Sequence, residues 1–189
     1  LDFNSGNSAN GIDAFDDKMP TAWEEPWGMG LNTGIQLVSG IGTASNVQYK
    51  TPTILGTTIT VAMAPDVGSS DVADKGHSVD GGGSTGAGYD GTININPSFG
   101  TEALSGLNLF VGAHYTEHYD ETSNLNDRYE GVGGITMDIG PVSLGYATSG
   151  IATGKTVTKA DTDWYKNAMY GISFNVNDDL SVSYGKHES

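Results

Sequence analysis

Most of the chain alternates between apolar and polar residues with a period of two. The clearest example is 46–64, NVQYKTPTILGTTITVAMA. Val47 and Tyr49 alternate with polar residues in its first run, and Ile59 and Val61 alternate with small or polar residues in its second run. A turn containing proline and glycine joins the two runs. Because successive side chains on a strand point to opposite faces, this stretch predicts a β-hairpin with one apolar face and one small polar face.

The same unit recurs and predicts four hairpins, or eight strands, within residues 46–189. After the first hairpin the predicted strands are Thr92–Phe99, Leu107–Glu117, Arg128–Asp138, Val142–Tyr146, Ala168–Val176 and Leu180–Tyr184. Short turns alternate with long polar loops, and the loops are predicted at Pro65–Asp90, Asp120–Asp127 and Thr153–Asp163. No stretch has a helical period, so the sequence indicates an all-β protein.

Residues 1–44 have a different character. They are rich in Gly, Asn and Pro, they gather acidic residues, and they include Trp23 and Trp27. So many aromatic side chains favour an ordered functional loop over a disordered tail. A weak alternation of Ile35, Leu37 and Ile41 leaves room for a short strand near Thr33–Ser39.

Composition narrows the class of protein. The 189 residues suit one large β domain or part of a larger one, and the net charge of −15 would repel nucleic acid. There are no cysteines, which excludes disulfides and thiol chemistry. No apolar run approaches the roughly 20 residues of a membrane helix. The sequence has no signal peptide and begins with Leu1, from which we expect a processed chain or a fragment.

Alternating strands fit two architectures, a soluble β-sandwich and a transmembrane antiparallel up-and-down β-barrel. Three features favour the barrel. The polar faces carry mostly Ser, Thr, Asn, Gly and Ala rather than Lys and Glu, and most of the charge lies in loops. The apolar face is sparse for a packed core. The long connections all fall at one end of the strands, as in barrels with turns on one side of a membrane and loops on the other.

The order of these elements resembles the general porins of Gram-negative outer membranes. In that family a long acidic loop folds into the barrel, and a strand ending in an aromatic and a basic residue follows it. Here the matching order is Ile12–Trp27, then Tyr49 and Lys50, then the turn Pro52–Gly56 and the strand Thr57–Ala64.

The resemblance implies a barrel of about 16 strands of which roughly half are present, so 1–189 is an incomplete single domain with an infolded constriction loop in 1–44. It also implies a homotrimer among outer-membrane lipid and lipopolysaccharide, without enzymatic activity or a cofactor. The expected function is passive diffusion of small hydrophilic solutes and ions, with cations preferred because of the acidic excess. The alternatives are a soluble β-sandwich that binds carbohydrate or calcium, and a barrel acting as a surface receptor or adhesin.

For such a channel the useful chemistry is a transverse field at the narrowest point, with acidic residues on the loop facing basic residues on the wall. The predicted constriction residues are Asp13, Asp16, Asp17, Glu24, Glu25 and, on the wall, Lys50. Polar-face positions predicted to face the lumen are Gln48, His114 and Arg128. Positions predicted to face lipid are Val47, Tyr49, Ile59, Val61, Leu109, Val111, Tyr146, Ile172 and Phe174.

Other chemistry has little support. Asp13, Asp16 and Asp17 offer hard oxygen ligands suited to Ca²⁺, but their spacing matches no EF-hand, and unbound carboxylates are the preferred interpretation. The four histidines lack the spacing of a zinc site. No G-x-S-x-G motif or nucleophile–base pair indicates a hydrolase.

Overall fold

A computed structural model describes residues 1–5, 10–22, 36–67, 85–97, 104–118, 126–154 and 163–189. In these ranges the chain is all-β, apart from a short 3₁₀ turn at Gly11–Phe15. Nine strands form one sheet: β1 Asp2–Asn4, β2 Asn46–Lys50, β3 Thr57–Ala64, β4 Thr85–Ile95, β5 Leu107–His118, β6 Arg128–Ile139, β7 Val142–Ala152, β8 Trp164–Asn177 and β9 Leu180–Glu188.

The sheet has an up-and-down topology. Each strand pairs antiparallel with the next one in sequence, so the order is β1 to β9 without a crossover. Over the described residues the sheet is open, with β1 and β9 as its edges, and it is not closed as a barrel.

Several elements differ from the sequence-based prediction. The strands β7, β8 and β9 extend beyond the predicted Val142–Tyr146, Ala168–Val176 and Leu180–Tyr184, and β4 ends at Ile95, short of the predicted Phe99. The strand β1, which pairs with β2, was not expected. The strand β4 begins at Thr85, inside the predicted loop Pro65–Asp90, because pairing with both neighbours overrides the turn preference of its glycines. Gln36 to Ser39, the described part of the region proposed for a short strand, is not in a strand.

The two faces of the sheet differ in what covers them. The open face carries large apolar side chains such as Val61, Val111 and Tyr146, all of them exposed. The covered face carries residues such as Asp90 and His114, which are buried. Strand alternation assigned the apolar and polar faces of β2–β9 as they occur here.

The core lies on the covered face. Ile12, Phe15 and Met19 from the N-terminal region pack there with Val38 and with side chains of β5 to β8. We call residues 10–22 and 36–44 together the infolded segment, because both stretches lie against the covered face of the sheet.

Candidate functional site

Four polar side chains cross the covered face in one register row. Gln48 of β2 pairs with Ala62, Ala62 with Asp90 of β4, Asp90 with His114 of β5, and His114 with Glu130 of β6. Paired residues on neighbouring strands place their side chains side by side on the same face. The row therefore presents two carboxylates to the infolded segment.

Asp90 holds the infolded segment at two points. Its Oδ2 accepts hydrogen bonds from the backbone N–H of Ile12, at 3.0 Å, and of Ile41, at 3.4 Å. Its Oδ1 accepts one from His114 Nδ1 at 2.5 Å, and both side chains are fully buried. The other ring nitrogen of His114 shares a hydrogen bond with the Thr116 hydroxyl. A buried carboxylate with this many donors is well satisfied.

Glu130 makes an equivalent set of contacts on the next strand but one. Its Oε2 accepts from the backbone N–H of Ser39 at 2.7 Å and of Gly40 at 3.1 Å. Its Oε1 accepts from Arg128 Nε at 2.6 Å. We refer to Asp90 and Glu130 as the clamp, because each carboxylate binds one basic side chain and two backbone amides of the infolded segment.

Two glycines allow the segment to approach the clamp. Gly11 and Gly40 have φ values of 54° and 53°, a region that favours glycine. A Cβ atom on Gly11 would overlap the Asp90 carboxylate, and one on Gly40 would lie 2.5 Å from Asp90 Oδ2. The backbone geometry and the close contact both require glycine at these positions.

Further along, the segment lies in a trough made by glycines of the sheet. A Cβ on Gly112 would lie 3.1 Å from Ile12 Cγ1, and one on Gly171 would lie 2.9 Å from the carbonyl oxygen of Pro20. A Cβ on Gly145 would overlap Pro20 Cδ. Residues 12–20 thus cross the covered face from β5 to β8 where the strands have no side chains.

Apolar packing adds to the polar contacts. Ile12, Phe15 and Met19 are buried, and the rings of Phe15 and Phe110 lie 5.0 Å apart between centroids. Full burial of such a side chain contributes about 2 kcal/mol. The segment is therefore fixed to the sheet by both charge-assisted hydrogen bonds and hydrophobic contact.

Three of the predicted acidic constriction residues lie on this segment. Asp13 and Asp16 are half-buried at the 3₁₀ turn, and Asp17 is exposed. Glu24 and Glu25 lie outside the described residues. Among the residues that the structure describes, no group of three or more His, Asp and Glu side chains is arranged to hold a metal ion.

The residues predicted for the wall and the lumen differ in their contacts with the clamp and the infolded segment. Lys50 is exposed at the end of β2, and among the described residues no ion pair joins it to an acid of the segment. Gln48 Oε1 accepts a hydrogen bond from Gly11 N at 3.2 Å. Arg128 is half-buried beside Glu130, and His114 lies beneath the segment.

The residues predicted to face lipid all lie on the open face. Leu109 is half-buried and the other eight are exposed: Val47, Tyr49, Ile59, Val61, Val111, Tyr146, Ile172 and Phe174.

An aromatic row crosses the open face near the first residues of β4, β6 and β8 and the last residues of β5. Tyr89, Tyr115 and Tyr129 pair in succession on β4, β5 and β6, with ring centroids 6.3 Å and 5.2 Å apart. One alanine separates Tyr129 from Trp164 in the same register row. The Tyr115 hydroxyl donates a hydrogen bond to Asp127 at 2.9 Å, which ties the row to the loop residues.

No family model and no curated protein matches this chain.

In the described part of the chain, no helix is long and apolar enough to cross a membrane.

The sequence interpretation missed the clamp. It placed Asp90 in a loop, and it gave no role to Glu130 within the predicted strand Arg128–Asp138. The available signal was an acidic residue on each polar face, among small neutral residues at Asp90 and beside Arg128 at Glu130, since a buried strand position of that kind needs a partner. The identity of that partner, the backbone of residues 11–12 and 39–41, is not visible in the local pattern.

Gly145→Ala should displace the infolded segment at Pro20, because the added methyl group would overlap Pro20 Cδ. We expect a loss of about 1–3 kcal/mol in the free energy of unfolding, the usual cost of overpacking a tight site. The matched control is Gly91→Ala, where a Cβ meets no atom within 4 Å and the strand only gains rigidity. Chemical denaturation of the full protein measures both. Equal stability of the two variants would contradict the close contact between Gly145 and Pro20.

Proposed function

We propose that this chain belongs to an outer-membrane β-barrel that acts as a passive diffusion channel for small hydrophilic solutes and ions. The observation that carries the proposal is the open face, where large apolar side chains on strand after strand remain exposed while the small-residue face is covered. Soluble monomers rarely expose apolar patches of more than a few hundred Å². A lipid environment accounts for this distribution, and a β-sandwich would instead bury the apolar face.

Strand length supports the same proposal. The strands β4 to β8 contain 11, 12, 12, 11 and 14 residues, whereas strands of globular proteins most often have about 5–6. A tilted strand of about 9–11 residues crosses the hydrocarbon core of a bilayer. The row Tyr89, Tyr115, Tyr129 and Trp164 suits one of the aromatic girdles that border the apolar band of such a barrel.

Under this proposal the covered face lines the lumen, and the infolded segment narrows it. Asp16 and Asp17 on the segment, together with a net charge of −15, favour cations over anions. Lys50, on the covered-face side of β2, supplies the opposing charge near the short-turn end. Closure of the sheet by further strands and assembly as a homotrimer complete the proposal, and both rest on the resemblance in element order.

The proposal is tested by measuring the conductance of the full protein in planar lipid bilayers. We expect stepwise, ion-conducting insertions with cation preference. Lys50→Glu should raise the ratio of cation to anion permeability, since it replaces a positive charge of the lumen by a negative one. The effect should be larger at 0.1 M than at 1 M salt, because the screening length falls from about 10 Å to about 3 Å.

Leu55→Gln serves as the control for Lys50→Glu, because Leu55 is an exposed turn residue close in sequence. Its permeability ratio should equal that of the unmodified protein. Absence of conductance, or clear anion preference, would refute the channel. An unchanged ratio in Lys50→Glu would refute the lumen assignment of that face of β2.

A further inference from the structure

The covered face carries a row of neutral polar side chains beside the infolded segment. Each strand from β3 to β8 contributes one half-buried residue to it: Thr58, Asn94, Asn108, Thr136, Ser143 and Ser173. The residues pair directly in register on β3 and β4, on β5 and β6, and on β7 and β8. We call these six residues the neutral row. All six strands are interior strands of the sheet, between its edges β1 and β9.

The neutral row follows the side of the infolded segment that is nearer the short turns. On β7, Ser143 lies two residues from Gly145, which lies against Pro20 of the segment. On β8, Ser173 lies two residues from Gly171, which lies against the same proline. Residues two apart on a strand are neighbours on one face of the sheet. A solute that passes the segment in the proposed lumen would therefore meet the neutral row next.

The side chains of the neutral row can take part in hydrogen bonds with a solute. Hydroxyl and carboxamide groups both donate and accept hydrogen bonds. The side chains of Asn94, Asn108 and Thr136 make no hydrogen bond with another residue of the described ranges. The middle of the row therefore offers donors and acceptors that the protein itself does not use.

Charge and apolar surface are scarce around the neutral row. On the covered face of β3 to β8, the one described charged side chain on this side of the segment is Asp138, and its carboxylate accepts a hydrogen bond from the Ser143 hydroxyl at 2.5 Å. The large apolar side chains of the same face, such as Phe110 and Met169, are buried beneath the segment. A charged solute gains little from this row, and an apolar solute finds no exposed apolar side chain in it.

We propose that the neutral row is a binding site for neutral polyhydroxylated solutes of the size of a monosaccharide. The hydroxyl groups of the solute would exchange hydrogen bonds with water for hydrogen bonds with the row. The inference rests on the proposed function, because it requires the covered face to line a lumen. It deepens that proposal by naming a substrate class and the residues that recognise it.

Glucose is the probe, and the ion current through single channels of the full protein in planar bilayers is the readout. We expect increasing glucose to reduce the current to a saturating value, from which a Kd is obtained. That Kd should differ by less than about twofold between 0.1 M and 1 M salt, because salt screens charges and not neutral hydrogen-bonding groups. A reduction that grows linearly without saturating, or a Kd that changes severalfold with salt, would overturn the inference.

Single substitutions test the assigned residues. Thr136→Val removes a half-buried hydroxyl group at nearly constant volume, so the width of the lumen is retained. We expect it to raise the Kd for glucose about fivefold, the factor that corresponds to one net hydrogen bond. Asn108→Ala should have an effect of the same size. The matched control is Asn126→Ala, since Asn126 is exposed before the other end of β6 and should leave the Kd unchanged. An unchanged Kd in both Thr136→Val and Asn108→Ala would contradict the site.

The conductance measured in the same bilayers separates the two proposals. A protein that conducts but shows no saturable effect of glucose refutes the binding site and leaves the channel standing. A protein that does not conduct refutes the channel, and the binding site with it.

Discussion

Replacing Asp90 with alanine should destabilise the protein by on the order of 3 kcal/mol, because removal of one partner from a buried pair leaves the other charge or donor unsatisfied. The substitution takes the acceptor from Ile12 N and Ile41 N, two points of the infolded segment that are distant in sequence. It also leaves His114 Nδ1 without its acceptor in a fully buried position. We expect the backbone amides of Ile12 and Ile41 to lose protection from hydrogen exchange.

Hydrogen exchange and chemical denaturation of the full protein together measure this effect. Asp17→Ala is the control, since Asp17 is exposed on the same segment, and a surface change of this kind is normally within about 0.5 kcal/mol. Asp90→Asn should lie between the two, because it keeps an acceptor oxygen but removes the charge. Unchanged protection of Ile12 and Ile41 in the alanine variant would show that the clamp does not hold the segment.

The same variant bears on the proposed channel. If the infolded segment sets the width of the lumen, its release should widen the channel and raise the single-channel conductance of Asp90→Ala above that of the unmodified protein. Stability and conductance would then change in the same protein for one physical reason, the loss of acceptors for backbone N–H groups inside the sheet.

The faces of the sheet were predictable from sequence because the period of a strand is a local property. Val111 and His114 fall on opposite faces by counting alone, and pairing with β4 and β6 preserves that alternation. A slip of one residue would transfer every side chain to the other face, so the pattern determines the register strongly. The extent of a strand is less local. The residues before Asp90 are mostly glycine and alanine, and their strand conformation depends on neighbours that local sequence does not specify.

The clamp was not predictable for a related reason. The resemblance suggested acids on the loop and bases on the wall, whereas the described wall also carries the buried acids Asp90 and Glu130. An infolded loop brings backbone N–H groups away from solvent, and each needs an acceptor. Carboxylates on the sheet supply it, but their partners lie 78 residues away for Asp90 and Ile12, and 91 for Glu130 and Ser39.

The structure shows that the small residues of the polar face have a role in packing. From sequence they resemble a surface that needs no packing, but at Gly112, Gly145 and Gly171 they make room for another part of the chain. Hydrophobic side chains of the infolded segment, including Ile12 and Met19, fill that room. The core of the described region therefore lies on the face with the smaller side chains, and the larger apolar side chains remain outside.

That distribution makes Val111→Arg a decisive substitution. Val111 is 51% exposed in the middle of β5, so in a soluble sheet a charge there would meet water and change stability by no more than about 0.5 kcal/mol. On the lipid face of a barrel, an arginine near the midplane costs about 2–4 kcal/mol. We expect the larger loss, measured as the urea dependence of folding of the full protein into phospholipid vesicles.

Ile139→Arg supplies the matched control. Ile139 lies on the same face, is 56% exposed, and ends β6 beside the short turn, where a bilayer would give way to its interface. An arginine there should cost only about 0–1 kcal/mol in a membrane barrel. A soluble sheet predicts equal, small effects at both positions, because both side chains are equally open to water. A clearly larger loss of folding free energy in Val111→Arg than in Ile139→Arg therefore requires surroundings that change with depth, which water does not provide. Equal, small losses in the two variants would refute the membrane assignment of the open face.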